Sequence, residues 1–380
     1  MTSLLLALVL PLACGDKGGD DSGTDAGLQV EDLGSFTTDT GGLTGDIPLS
    51  VPDDASSVMV HCGSYGYSLL GTAWHIKDGA GSLYYTNENH ESYAPAKMRV
   101  GNLDDHLPVL FPVSPDHDIS GGDWQINAWI ASGGTPKTVS CEAVYRIDDV
   151  ANNASVDINA VFVGLDALGL DAAGAPEDAD FQAALEKADE LLSQAGLSLG
   201  AVNYIDFSGD VDTYSVVDIT DSDSSELGNL LKQDVGGAGR ALTVFFVQEI
   251  SSSGGATILG LAAGPPGAAT VGGTSKSGMV VTSADLRADP ASVGLILAHE
   301  GAHFLGLFHT SEKEGSTHDP LSDTPECGSS ANTDGNGYVD REECAGKGAD
   351  NIMFWAPSVE VSTKLSDDQG WVLRRNPAVR

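Results

Sequence analysis

The chain has 380 residues, with 18 basic against 55 acidic side chains and a formal net charge of −37. A phosphate backbone would be repelled by such a surface, so nucleic acid is excluded as a partner, while the length allows two domains, each with its own core. Surplus carboxylates suit solubility outside the cell and calcium binding, and 47 glycines announce many turns and loops.

Met1 to Ala13 form an apolar run too short to span a bilayer as a helix, and it reads as an export signal. Its end, Pro11-Leu12-Ala13-Cys14, resembles a bacterial lipobox. That resemblance implies a lipidated Cys14 as first residue of the mature chain and an envelope location, outer membrane by preference. No Lys or Arg precedes the run, and Pro11 stands where lipoboxes carry an aliphatic residue; a plain secretory signal is the alternative. Gly15 to Asp25 are Gly, Asp, Ser and Thr with one Lys, too polar to build a core, so residues 14–45 are expected to be a disordered tether. Membrane contact would run through the lipid alone.

Setting Cys14 aside leaves four cysteines, which sequence alone can join in three ways. Pairing within each expected domain selects Cys62 with Cys141 and Cys327 with Cys344, and implies an oxidising compartment. No cysteine is then left to block a metal.

From 46 to 148 the pattern is β. Short apolar or alternating runs (Val58–Cys62, Ser82–Thr86, Val109–Phe111, Trp124–Ile130, Val139–Tyr145) are separated by Gly, Pro and Asp. They predict an all-β sandwich or jelly roll. Gly121 to Trp129 is similar to a strand of β-domains that accompany secreted peptidases, and equally to a strand with an ordinary core tryptophan. His61, His75, His90, His106 and His117 show no ligand spacing and are expected on the surface or in hydrogen bonds.

Strands and helices alternate from 149 onward, giving an α+β chain overall. Val156–Val163 reads as a strand; Phe181, Leu185, Ala188 and Leu192 share one helical face between Asp178 and Gly196. A strand follows near Ala201–Phe207, then a short helix with Leu227, Leu230 and Leu231, and Leu242–Val247 is apolar throughout, as in a strand covered on both faces. Asp289 and Pro290 mark the start of another helix, with Val293, Leu297 and Phe304 inward.

On that helix lies His-Glu-Gly-Ala-His-Phe-Leu-Gly-Leu-Phe-His, His299 to His309. Residues four apart share a face, so His299 and His303 can hold one metal ion; Gly306 can turn the chain so that His309 supplies a third imidazole. Three neutral imidazoles leave a tetrahedral zinc one open position, and Glu300 stands where a general base for water is needed.

His-Glu-x-x-His-x-x-Gly-x-x-His resembles the zinc motif of the metzincin metallopeptidases. That resemblance implies a metzincin-type domain over 149–380, a mixed twisted sheet with helices. It also implies that Asn351-Ile352-Met353 is the methionine turn, with Met353 a floor beneath the metal, and that Met279–Ser283 is an antiparallel edge strand which binds peptide substrate. Many family members carry a tyrosine two residues after the methionine, near the oxyanion; here that position is Trp355. Asp319-Pro320-Leu321-Ser322-Asp323-Thr324-Pro325, with Thr310 after the third histidine, resembles the pappalysin branch, in which such acidic residues help bind calcium.

Within an insertion of about 315–350, Asn332, Asp334, Asn336, Gly337, Tyr338, Asp340 and Glu343 fall at positions 1, 3, 5, 6, 7, 9 and 12 of an EF-hand-type loop. Ca²⁺ is the cation those oxygens suit; a metal-free Gly/Asp turn is the alternative. The expectation is therefore a monomeric, exported, zinc-dependent endopeptidase stabilised by calcium and acting on protein or peptide. A surface-anchored binding lipoprotein with an inert zinc domain is the competing expectation.

Overall fold

The computed structural model describes residues 27–63, 71–87, 105–131, 133–148, 153–219, 226–236, 239–252 and 258–380. Cys14, the export signal and His90 lie outside the described residues. Eight strands come first: β1 (Leu28–Thr37), β2 (Ile47–Val51), β3 (Ser57–Gly63), β4 (Gly71–Lys77), β5 (Leu83–Thr86), β6 (His106–Phe111), β7 (Gly122–Ile130) and β8 (Thr138–Arg146). They form two sheets, in the orders β1-β8-β3-β6 and β2-β7-β4-β5. Strand pairs 1 with 8, 2 with 7, 3 with 6 and 4 with 5 thus make one long antiparallel ribbon rolled over two sheets, which is a jelly roll. Phe111 of β6 stacks on Trp124 of β7 with ring centroids 5.6 Å apart, so the inner faces of both sheets share a core. Trp124 is a core residue, 2% exposed.

The expected tether to residue 45 is corrected here. Leu28–Thr37 is a strand paired along its length with β8, interrupted by a bulge at Asp32/Gly34. Its side chains are half-exposed or exposed and too polar to announce a strand; the backbone of β8 supplies the order, and composition does not register that partner. Cys62 and Cys141 sit directly opposite one another on β3 and β8 and form a disulfide. Closing a loop of 79 residues is worth about 4.5 kcal/mol in chain entropy.

The remainder is built on a five-stranded mixed sheet. Its elements are β9 (Ala154–Phe162), α1 (Ala179–Ser193), β10 (Leu197–Asp206), α2 (Val211–Tyr214), β11 (Val216–Asp218), α3 (Glu226–Leu231), β12 (Leu242–Val247), β13 (Glu249–Ser251), β14 (Gly260–Ala262), β15 (Met279–Thr282), α4 (Pro290–Leu305) and α5 (Asp367–Leu373). The order is β10-β9-β12-β15-β14, with β14 alone antiparallel. Asp178 caps α1 by accepting from the Phe181 amide at 2.9 Å. Helix α1 lies against α4 at Gly294, where a Cβ would stand 2.3 Å from the Ala184 carbonyl oxygen.

A second correction concerns the edge. Met279–Thr282 runs parallel to β12 inside the sheet, and the antiparallel edge strand is Gly260–Ala262. Three residues in a glycine-rich stretch carry no strand signal of their own; pairing with β15 creates the strand.

The two halves are joined by buried polar contacts. Arg146, 1% exposed, donates to the carbonyls of Asn376 and Val379 at 2.9 and 2.7 Å, and pairs with Asp148. Asp105 accepts from Ser275 and pairs with Lys232. One hydrophobic cluster runs through both halves. Among the described residues no helix is long and apolar enough to cross a membrane.

Candidate metal centre

Helix α4 delivers the first residues of the site. The Asp289 side chain accepts from the Ser292 amide at 3.1 Å at its start, and Pro290 occupies the first turn. At its end Gly306 takes φ +119°, and its amide donates to His303, which turns the chain back towards the helix. A Cβ on Gly306 would also press on Leu110 of the jelly roll at 3.0 Å.

His299, His303 and His309 come together as the spacing requires, with one ligand atom from each lying within 4.8 Å of the others. Each imidazole is oriented from behind. His299 Nδ1 donates to the Ile352 carbonyl at 2.6 Å, His303 Nδ1 to the Leu307 carbonyl at 2.7 Å, and His309 Nδ1 to the Glu312 carboxylate at 2.9 Å. Carbonyl and carboxylate oxygens only accept, so every Nδ1 carries the ring proton and every Nε2 presents a lone pair. Two of those lone pairs, on His303 and His309, face each other at 3.1 Å, a repulsive contact that a shared cation relieves. The three histidines therefore fit a metal ion bound through nitrogen. Burial and the neighbouring His309 hold His299 far below the usual imidazole range, at about 3, so it is neutral as a ligand must be.

Glu300 lies beside the histidines, 8% exposed, and burial pushes its carboxyl up to about 8 against the opposing hydrogen bond from the Ala262 amide. Strand β14 crosses directly over it. A Cβ on Gly260 would stand 2.6 Å from both Glu300 Cγ and Ile296 Cγ2, so this approach requires glycine.

Met353 is fully buried, and its carbonyl accepts from the Thr310 amide at 2.9 Å, just past His309. Its turn is set by Asn351, whose side chain accepts from the Met353 amide and exchanges two hydrogen bonds with buried Gln369 of α5. The Trp355 indole donates to the Val339 carbonyl at 2.8 Å.

The expected calcium ligands are placed otherwise than their spacing implies. Cys327 and Cys344 are joined, and Val339 packs beside them in a small core. Glu343, at position 12, does not converge with Asp334 and Asp340 on a common point. It accepts from the Thr333 and Asp334 amides and the Thr333 hydroxyl, while Asp340 accepts from the Glu343 amide. Asn332, Asp334 and Asn336 likewise accept from amides two or three residues ahead, and Tyr338 is exposed. Nearby amides attract these oxygens, whereas packing like charges together is costly. Asp319 accepts from Thr324 and Leu321, and Asp323 caps α5 through the Asp368 amide. Among the described His, Cys, Asp and Glu side chains, the three histidines form the one cluster of three ligand atoms.

Sequence reasoning missed the residues behind the ligands. Glu312 could have been noticed as a carboxylate three residues after His309; Ile352 O, Leu307 O, Gly260 and Gln369 left no signal. His61 and His106 are buried and bonded to each other at 3.1 Å, away from this site.

No family model matches the chain, and no curated protein matches it. Among solved structures, metalloproteinase-II from Bacteroides fragilis aligns over 50% of this chain and 57% of its own, at 14% identity and a TM-score of 0.29. Salicylyl-acyltransferase SsfX3 from a tetracycline biosynthetic pathway aligns over 59% and 62%, at 13% identity and a TM-score of 0.12. The chain spans less than two thirds of either protein, and overlaps this loose carry no weight; the side chains must carry the chemistry.

Proposed function

We propose that the protein is a zinc-dependent endopeptidase of metzincin type, resembling the pappalysin-like branch, and exported to the cell envelope or beyond. The observation that carries this reading is the trio of inward Nε2 lone pairs of His299, His303 and His309 with Glu300 beside them. A structural metal site has no use for a buried general base. Zn²⁺ held by the three Nε2 atoms would polarise a peptide carbonyl and acidify a water molecule. Glu300, its carboxylate form favoured by the charge of a bound cation, would take a proton from that water and return it to the leaving amine. Strand β14, the edge of the sheet among the described residues, runs past Glu300 and suits an extended peptide added as a strand. Both disulfides belong to an oxidising compartment, and the lipidated Cys14 is part of the same proposal. Calcium in the 332–343 loop would act on stability.

The competing reading, a binding protein with an inert metal domain, draws on Trp355, which replaces a hydroxyl with an indole bonded elsewhere. Cleavage of an unfolded-protein mixture by the full chain, beside Glu300→Ala carrying equal zinc, separates the two. Cutting by the parent and none by the variant is the expected outcome. Cutting by neither, with zinc bound, overturns the peptidase reading in favour of its rival.

A further inference from the structure

Two of the three histidines are oriented by backbone carbonyls, whereas the third, His309, depends on a side chain. Glu312 Oε2 accepts from His309 Nδ1 at 2.9 Å, with Glu312 29% and His309 23% exposed. A carboxylate in that place fixes the ring's tautomer and raises the basicity of the opposite nitrogen, effects a carbonyl supplies only in part. His309 is also the ligand outside the helix, so nothing in α4 aims it.

The loop bearing Glu312 is held in turn by the disulfide-closed insertion. Glu312 N–H donates to the Thr317 carbonyl and Gly315 N–H to the Glu312 carbonyl, making a tight turn beneath the bridge between Ser311 and His318. Three amides of the insertion then donate into this loop: Cys327 to Ser311 Oγ at 2.8 Å, Ser329 to the Gly315 carbonyl at 2.7 Å, and Val339 to the Lys313 carbonyl at 2.8 Å. Gly315 takes φ +63°, and a Cβ there would meet the Ser329 amide at 2.6 Å. Trp355, close after the Met353 turn, anchors the other side of the insertion at Val339.

Resting on the zinc reading above, we propose that Glu312 is a positioning residue for His309, and that the disulfide-closed 327–344 part of the insertion acts on the metal centre by bracing Glu312. The disulfide Cys327–Cys344 then contributes to metal affinity as well as to stability. The insertion sits where its presence and state set how firmly the third ligand is held.

The test is zinc uptake by metal-free full-length protein, in competition with a chromophoric chelator. Glu312→Ala should bind zinc about tenfold more weakly, the low end of the range for such outer partners because Glu312 is partly exposed. Glu312→Gln, whose amide oxygen still accepts from Nδ1–H, should recover part of the loss. The visible spectrum of bound Co²⁺ should shift in the alanine variant and return towards the parent in glutamine, with the metal-free melting temperatures unchanged. Removing the disulfide as Cys327→Ala/Cys344→Ala should weaken zinc in the parent and add little on top of Glu312→Ala. Equal zinc affinity in parent and Glu312→Ala overturns the role of Glu312; equal losses from the disulfide in both backgrounds overturn the brace. A parent that takes up no zinc overturns the metal reading itself, an outcome distinct from either.

Discussion

Arg146, the last residue of the jelly roll's final strand, and Arg240, just before β12, donate to the same carbonyl, that of Val379. Both guanidinium groups are buried, and Arg240 adds a bond to Pro377 at 2.8 Å. The C-terminal segment is thereby clamped between the two halves of the molecule. The jelly roll is in this sense packed as part of the folded unit. Arg146→Met, which keeps bulk but takes a buried donor from the Asn376 and Val379 carbonyls and breaks the pair with Asp148, should cost about 3 kcal/mol. Calorimetry should show one cooperative transition in both proteins, moved down in the variant. Two transitions, with only one displaced, would contradict the clamp.

Gly260 offers a sharp test of the active edge. In Gly260→Ala the new methyl must displace β14 or Glu300, since either contact would otherwise lie at 2.6 Å. Peptidase kcat/KM should drop about a hundredfold, the scale of a misplaced reacting group, while the fold survives. Activity within a factor of three of the parent would show that β14 can move away without consequence.

The buried pair His61 and His106 makes stability fall in acid, while Glu300, raised to about 8, works in the opposite direction. Burial holds His61 down at about 3 and His106 at about 4; Asp105 partly opposes the second shift, and Lys276 reinforces it. The unfolded chain binds protons near 6.5 and the folded chain does not, so this stability is complete above pH 6.5 and is lost as pH falls towards 4. The melting temperature should decline by on the order of 5 °C between pH 6.5 and 4.5. His61→Leu/His106→Leu should flatten that limb; an unchanged slope would assign the acid loss elsewhere.

Calcium has its own measurement. Binding in the 332–343 loop requires Glu343 to leave the Thr333 and Asp334 amides and swing inward. Added Ca²⁺ should raise the melting temperature of the parent by several degrees and leave Asp334→Ala unmoved. No shift in the parent would reduce the loop to a hydrogen-bonded turn.

The parts of the site legible in the sequence were those whose geometry is local. His299, Glu300 and His303 follow from helical spacing, and His309 follows from a glycine that reverses the chain at Gly306. What holds them is not local: Ile352 O reaches His299 from 53 residues away, and Asn351 depends on Gln369. The calcium loop shows the converse limit, because spacing names candidate oxygens without deciding whether amides claim them first. In the fold, buried alternating strands such as Trp124–Ile130 were readable. β1 and β14 were not, since each becomes a strand only by pairing with a neighbour distant in sequence.

The rolled ribbon also decides where mechanical load enters the molecule. Strand β1 begins where β8 ends, so the Gly27 carbonyl accepts from Ile147, one residue past Arg146 and its bond to Val379; Arg380 in turn exchanges two hydrogen bonds with Ser155. Both described chain ends, Gly27 and Arg380, are thus bonded beside the last residues of the jelly roll and the first of β9. A pull on the chain at Gly27 would be borne first by the pairing of β1 with β8 and by the Arg146 contacts beside it.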